Sequence, residues 1–250
     1  MKPKQKKLQE IAVKLTKVSK VYTVKTEKPT LVETVLNKKG ITKYTALNSF
    51  DLTVLKGEKL GIIGSNGAGK TTLLKIIVGI TQPQSGTVTV NGKIVSLINL
   101  MAGFHPEMSG FDNIKLNGLL IGMSGAEIEE KKNKIVKFAD IGEFIYAPLH
   151  TYSTGMKLRL GFSIAVHSDP DILILDEGVS AGDEKFRAKA NNKIQKLFKQ
   201  NKTIIVVSHW LNFLKENCNR IIWMEKGKIK KDGSTKLLDE YLAFYAGKKK

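Results

Sequence analysis

Residues 64–71 read Gly64-Ser65-Asn66-Gly67-Ala68-Gly69-Lys70-Thr71. They fit the pattern G-x-x-x-x-G-K-[ST], directly after the apolar stretch Leu60–Ile63 and directly before Thr71–Val78, which has helical character. Glycines let a backbone wrap closely around phosphates, because a Cβ would block the approach. The N–H groups and the dipole of the following helix then face the negative charge. Lys70 would reach the β- and γ-phosphates, Thr71 would offer its hydroxyl to Mg2+, and Thr72 follows in the same turn. The chemistry is that of a Mg2+-nucleoside triphosphate. This motif alone does not separate an ATPase from a GTPase or a nucleotide kinase.

A second group narrows the choice. Asp171-Ile172-Leu173-Ile174-Leu175-Asp176-Glu177 ends an apolar run in two adjacent carboxylates. Such a run is expected to be a strand buried on both faces, and ligands bind at the carboxyl edge of sheets built this way. Asp176 would hold Mg2+ through water, and Glu177 would polarise an attacking water. Hydrolysis needs both functions, a metal clamp on the phosphates and an oriented nucleophile. A third group is Tyr152-Ser153-Thr154-Gly155-Met156, ahead of an amphipathic stretch Lys157–Val166. It reads as an anion-binding helix start or as an ordinary N-cap, and the residues by themselves leave both open.

These groups need a scaffold, and the rest of the chain describes one. At 250 residues the chain can bury a full core. Ile11–Val18 alternates as a half-buried strand, whereas Thr23–Thr45 loses the pattern and reads as an insertion or a long hairpin before a strand at Ala46–Val54. Asn91-Gly92 between Thr87–Val90 and Lys93–Ile98 predicts a β-hairpin by its turn chemistry. From about Met101 to Leu149, two helical segments, Asp112–Ile121 and Gly125–Ala139, read as a helical lobe inserted into an α/β body. Thr203–Val207 reads as another central strand, Asp183–Lys199 as a helix, Arg220–Glu225 as a strand and Thr235–Ala246 as a closing helix.

The net charge is +18, carried almost wholly by lysine, since Arg159, Arg187 and Arg220 are the arginines. The lysines are spread along the chain. They suit a solvated surface, an anionic membrane face or nucleic acid without selecting among them. One cysteine, Cys218, excludes an intrachain disulfide framework and is expected in a helix as a core or boundary residue. Met1–Lys7 lacks the apolar stretch of a secretory signal, and no apolar run approaches the roughly 20 residues needed to span a bilayer. Any channel this protein serves would therefore be another polypeptide.

Taken together, the phosphate loop, the Ser153–Met156 group and the Asp176-Glu177 pair resemble, in order and position, the ATP-binding-cassette ATPases. The likeness covers about Ile11 to Tyr245. It implies an α/β P-loop NTPase cassette with a central, mostly parallel sheet, an antiparallel β subdomain and an inserted helical subdomain. Residues 1–250 would then form a single nucleotide-binding domain, with about 101–167 as the helical subdomain, the remainder a RecA-like core plus β subdomain, and 23–45 an insertion. The cofactors implied are ATP and Mg2+. Ser153 and Gly155 would contact the γ-phosphate held by a second copy, so that two ATP molecules lie between head-to-tail protomers. His209, after Ser208, falls where such cassettes carry a γ-phosphate-contacting histidine. Ser180-Ala181-Gly182-Asp183 resembles the loop linking the two ATP sites, and is otherwise a helix cap at Asp183. Tyr22 sits where the family stacks an aromatic ring on adenine.

The run Leu100-Met101-Ala102-Gly103-Phe104-His105-Pro106-Glu107 with Asn113, the segment Gly142–Ile145 and the Tyr-Ser-x-Gly-Met form of the signature look like the polysaccharide-exporting branch. That branch handles O-antigen, teichoic acid or capsule chains on lipid carriers. The partners implied are a second copy of this chain and a separate multi-span permease, with the lipid-linked polysaccharide engaged through that permease. The place implied is the cytoplasmic face of the cell membrane, and no nucleic acid is expected. A carbohydrate-binding domain of the kind some such cassettes carry is not expected in this chain. Two departures stand out. Asn99 occupies the place of a glutamine that touches Mg2+, and Thr154 replaces a smaller residue. The alternatives are a soluble cassette acting on ribosomes or DNA, or the ATPase of an importer.

Overall fold

A computed structural model of the chain describes residues 10–25, 41–176 and 183–246. Nine strands and seven helices are labelled here in chain order. Two sheets organise them. The smaller is antiparallel, with strand order β2-β1-β4, where β1 is Ile11–Lys25, β2 is Ile41–Leu55 and β4 is Ser85–Val90. The larger has order β5-β6-β7-β3-β8-β9. Its members are β3 (Lys59–Gly64), β5 (Ile94–Ser96), β6 (Ile172–Leu175), β7 (Thr203–Val207), β8 (Arg220–Glu225) and β9 (Lys228–Gly233). All neighbours in it run parallel except β9, which returns antiparallel on β8.

The burial of the larger sheet explains its sequence. β6 and β7 are buried at every position, so both faces need apolar side chains and no polar alternation survives. Successive residues then serve different cores. Leu173, Leu175, Ile204, Val206, Ile221 and Trp223 pack on one face, against the helices α4 (Thr154–His167), α5 (Glu184–Phe198) and α7 (Leu237–Ala246). Ile172, Ile174, Ile205, Val207, Ile222 and Met224 pack on the other, against the small sheet and α1 (Lys70–Ile77).

A third core belongs to the helical lobe. It joins α2 (Gly110–Leu120), α3 (Gly125–Ala139), two 3-10 turns at Gly142–Tyr146 and Leu149–Thr151, and part of α4. The capping box of Ser124 and Glu127 fixes the start of α3. α4 is buried from Leu160 to Val166. Leu160 and Ile164 enter the lobe core, whereas Phe162, Ala165 and Val166 enter the sheet core. A helix apolar all round is one enclosed on every side, and α4 is the joint that fastens the lobe to the sheet.

The hairpin expected at Asn91-Gly92 is not formed. β4 pairs with β1, with Val90 opposite Val13, whereas β5 pairs with β6 in the other sheet, with Ile94 opposite Ile172. The two residues carry the chain between sheets. Asn91 bonds Ile11 and Ala12 carbonyls, and Gly92 lies against Asp171, which accepts from the Lys93 N–H. The stretch 23–45 contributes Thr23–Lys25 and Ile41–Thr45 to paired strand arms, and 26–40 lies outside the described residues. Strand β9 was not expected, and the helix expected around Cys218 is the short α6 (Leu211–Asn217). Cys218 follows α6 rather than lying in it, buried, with its thiol pushed up to about 12 by desolvation.

Candidate functional site

The loop after β3 turns at glycines because of what surrounds it. Gly64, Gly67 and Gly69 have φ of 151°, 77° and 100°. A Cβ on Gly64 would collide with the Met224 carbonyl, and one on Gly69 with the Ala46 carbonyl. Three residues remote in sequence form the outer wall of this loop. The Gly227 N–H donates to the Ala68 carbonyl at 3.0 Å, Ala46 abuts Gly69, and the Tyr44 hydroxyl donates to the Gly67 carbonyl. Inside the loop, Ala68 N–H bonds the Ser65 carbonyl at 3.1 Å. Nothing in the motif itself signalled these supports.

Helix α1 begins at once, with Gly69 as a left-handed N-cap that offers no side chain to the helix start. The N–H groups of a first turn lack intrahelical acceptors, and together they favour an anion. Lys70 is 8% exposed, and its ammonium donates to the Gly64 and Ser65 carbonyls at 2.7 and 3.2 Å. It is thus folded back over the loop. Thr71 is exposed, and its Oγ1 donates to Asp176 Oδ2 at 3.4 Å. Asp176 follows β6 immediately. Since β6 and β3 both flank β7 in a parallel sheet, their carboxyl ends lie on one edge.

That edge gathers other expected residues. Asn99 comes three residues after β5 and is exposed, its carbonyl accepting from the Ala102 N–H. Ser208 and His209 follow β7, with His209 exposed. Tyr22 is half-buried on β1 directly opposite Tyr44 on β2, so the two rings share one side of the ladder. Lys20 Nζ lies 5.5 Å from the Tyr22 ring centroid. Glu177, together with Ser180, Ala181 and Gly182, lies outside the described residues.

Ser153 and Gly155 lie at the start of α4. Ser153 is exposed and caps the helix, accepting from the Met156 N–H at 3.2 Å. Among the described residues a Cβ on Gly155 would meet only the Ser153 hydroxyl oxygen, at 3.8 Å, so none of them requires a glycine there. Asp183 acts as the cap of α5, accepting from the Phe186 N–H at 2.8 Å, and its other oxygen lies 3.7 Å from Arg159 of α4.

Sequence reasoning also missed what holds the segment after Asn99. Asn113, fully buried, accepts from the His105 N–H and donates to the His105, Met108 and Ser109 carbonyls at 2.9–3.0 Å. Asn117 donates to the Ala102 carbonyl. The Leu100 carbonyl sits against Gly161 of α4, where a Cβ would strike it.

The family described as ABC transporter matches residues 47–180. The chain belongs to it. Among relatives, an O-antigen export system ATP-binding protein from Klebsiella pneumoniae is 40% identical over 79% of this chain and 80% of its own length. One of the same description from Myxococcus xanthus is 46% identical over 76% of this chain and 43% of its own. A teichoic acids export ATP-binding protein from Bacillus anthracis is 43% identical over 80% of this chain and 37% of its own. The chain thus spans less than half the length of two of these three. Among solved structures, an ATP-binding cassette in a dimeric post-hydrolysis state bound to ADP and Pi aligns over 89% of this chain and 98% of its own. Its TM-score is 0.66 at 24% identity, a likeness of fold.

Proposed function

We propose that this chain is the MgATP-hydrolysing subunit of an exporter for a lipid-linked envelope polysaccharide, working as one nucleotide-binding domain in a head-to-tail pair. The observation that carries the reading is the meeting of Thr71 and Asp176 beside Lys70 at the carboxyl edge of the parallel sheet. The residues fit a Mg2+-nucleotide. The glycines let the loop pack against the Met224 and Ala46 carbonyls in the conformation it has, where a Cβ would collide, and the hydroxyl–carboxylate pair offers hard oxygens to Mg2+. Among the described residues no group of three His, Cys, Asp or Glu could enclose a metal. The remaining ligands would then be phosphate oxygens and water, as Mg2+ prefers.

Bound Mg2+ would neutralise charge on the phosphate oxygens. The protein's own share begins with N–H groups of the loop and of the first turn of α1, the Ala68 N–H excepted since it is bonded to the Ser65 carbonyl, and these would orient the phosphates. Lys70 would turn from the loop carbonyls onto them, and Thr71 and Asp176 would hold the metal. Asn99 extends toward the same edge. Glu177 would orient the attacking water and take its proton as the new P–O bond forms. The bond from the γ-phosphorus to the bridging oxygen would break so that ADP leaves with that oxygen, and His209 would steady the γ-phosphate. Tyr22 stacks on the base. Ser153 and Gly155 close the site of the second copy, a role that gives the spare room at Gly155 a purpose, and Asp183 ends the loop joining the two sites.

For the partner, the support is twofold. No helix among the described residues is long and apolar enough to cross a membrane, which suits a path carried by a separate permease. The lobe exposes Leu119, Leu120, Phe144 and Tyr146 at 50–67%, with Met101 and Met108 nearby in sequence. A partner docked on the lobe would cover these side chains. The names of the relatives, ATP-binding proteins of O-antigen and teichoic acid export, support the cargo class, and the ATPase of such an exporter would work at the cytoplasmic face of the membrane.

The test is purification of the tagged chain from its native membranes, followed by ATPase assay. A co-purifying multi-span subunit, with turnover lost in Lys70→Ala, is expected. Recovery with ribosomes or DNA instead would contradict the exporter reading.

A further inference from the structure

We infer that Tyr44 is a positioning residue for the phosphate loop, holding it through its hydroxyl in the shape that receives a triphosphate; this rests on the nucleotide reading of that loop. Gly67 has φ of 77°, a region glycine enters and leaves at little cost. The peptide joining Gly67 to Ala68 can therefore turn over at little cost from Gly67 itself, where a Cβ would meet no backbone within 4 Å. It is pinned at both ends. Its carbonyl accepts from the Tyr44 hydroxyl on the outside, and its N–H donates to the Ser65 carbonyl at 3.1 Å on the inside.

The other two outer supports, at Ala46 and Gly227, act through backbone atoms. Tyr44 acts through a side chain, and that side chain is 42% exposed. A residue so placed adds little to the core. Its position on β2, opposite Tyr22 of β1, keeps the hydroxyl aimed at the loop, because the ladder fixes both strands. Fixing the loop before the ligand arrives lowers the ordering cost of binding and so raises affinity. The effect should fall on the phosphates, not on the base.

The experiment compares wild type, Tyr44→Phe and Tyr44→Ala by calorimetric titration with MgATP and with inorganic tripolyphosphate, alongside thermal melting without ligand. Tyr44→Phe keeps the ring and removes the donor. The expected result is a loss of about tenfold in affinity for both ligands, about 1.4 kcal/mol, with an unchanged melting midpoint. The KM for MgATP should rise by the same factor while kcat holds. Tyr44→Phe binding both ligands like wild type would overturn the inference while leaving the nucleotide reading intact. So would Tyr44→Ala weakening MgATP alone, since the ring would then serve the base. Wild type binding neither ligand would overturn the nucleotide reading itself, and the inference with it.

Discussion

Thr71 and Asp176, separated by the whole helical lobe in sequence, meet with Oγ1 and Oδ2 3.4 Å apart. Neither residue is placed by its neighbours alone. Thr71 is carried by the loop after β3 and Asp176 by the end of β6, and β7 lies between those strands. The pair is open to solvent on the Thr71 side, as a site for a hydrated cation must be.

Asp176→Asn and Thr71→Ala should each lower MgATP turnover, the aspartate change by on the order of 100-fold or more, comparable to loss of a preorganised charge stabiliser. A Mg2+ titration of the ATPase rate checks this. Both variants should need more Mg2+ than the parent, and equal Mg2+ dependence would remove the pair from the metal site.

Gly161→Ala should be destabilising even though alanine favours helix. The added methyl would strike the Leu100 carbonyl, so either α4 or the segment after Asn99 must move. Overpacking costs about 1–3 kcal/mol, against a helix-propensity gain of about 1 kcal/mol. Urea denaturation should give a lower midpoint at an unchanged slope. Hydrogen exchange should be faster at residues 99–103.

His167 makes stability depend on pH in a stated direction. Burial holds its imidazole down at about 4, from an ordinary 6.5, and Lys193, Lys131 and Lys134 push the same way against the opposing bond to the Ser163 carbonyl. The folded protein therefore keeps His167 neutral where the unfolded chain protonates it. This contribution is fully present above pH 6.5 and is lost as the pH falls toward 4. The slope is at most about 1.4 kcal/mol per pH unit. Denaturation midpoints measured between about pH 6.5 and 5, above the range where Asp169 and Glu127 titrate, should fall in the parent and flatten in His167→Gln.

Much of the site was legible because its signals are local. A glycine-rich turn between an apolar strand and a helix needs only a dozen neighbouring residues, and the runs at 172–175 and 203–207 declare burial on both faces. The boundaries of α3 follow from Ser124, Glu127 and the left-handed Asp140 that ends it. What was not legible depends on distant choices. Asn91-Gly92 has hairpin chemistry, yet β4 and β5 find better partners in different sheets. Strand β9 is a lysine-rich edge, mostly exposed, and so lacks an apolar rhythm. Tyr44, Asn113 and Gly161 act through contacts with segments that nothing in their own surroundings announces.

The account's central claim is that two copies close on MgATP and that Glu177 starts hydrolysis. Sedimentation of Glu177→Gln in saturating MgATP tests it most directly, with Ser153→Arg in the same background as the control for the opposing surface. The expected result is a dimer with no turnover that Ser153→Arg abolishes, while the variant still melts cooperatively, its midpoint lowered only by the loss of the Ser153 cap on α4, about 0.5–2 kcal/mol. A Glu177→Gln protein that hydrolyses ATP like the parent, or stays monomeric in MgATP, would contradict it.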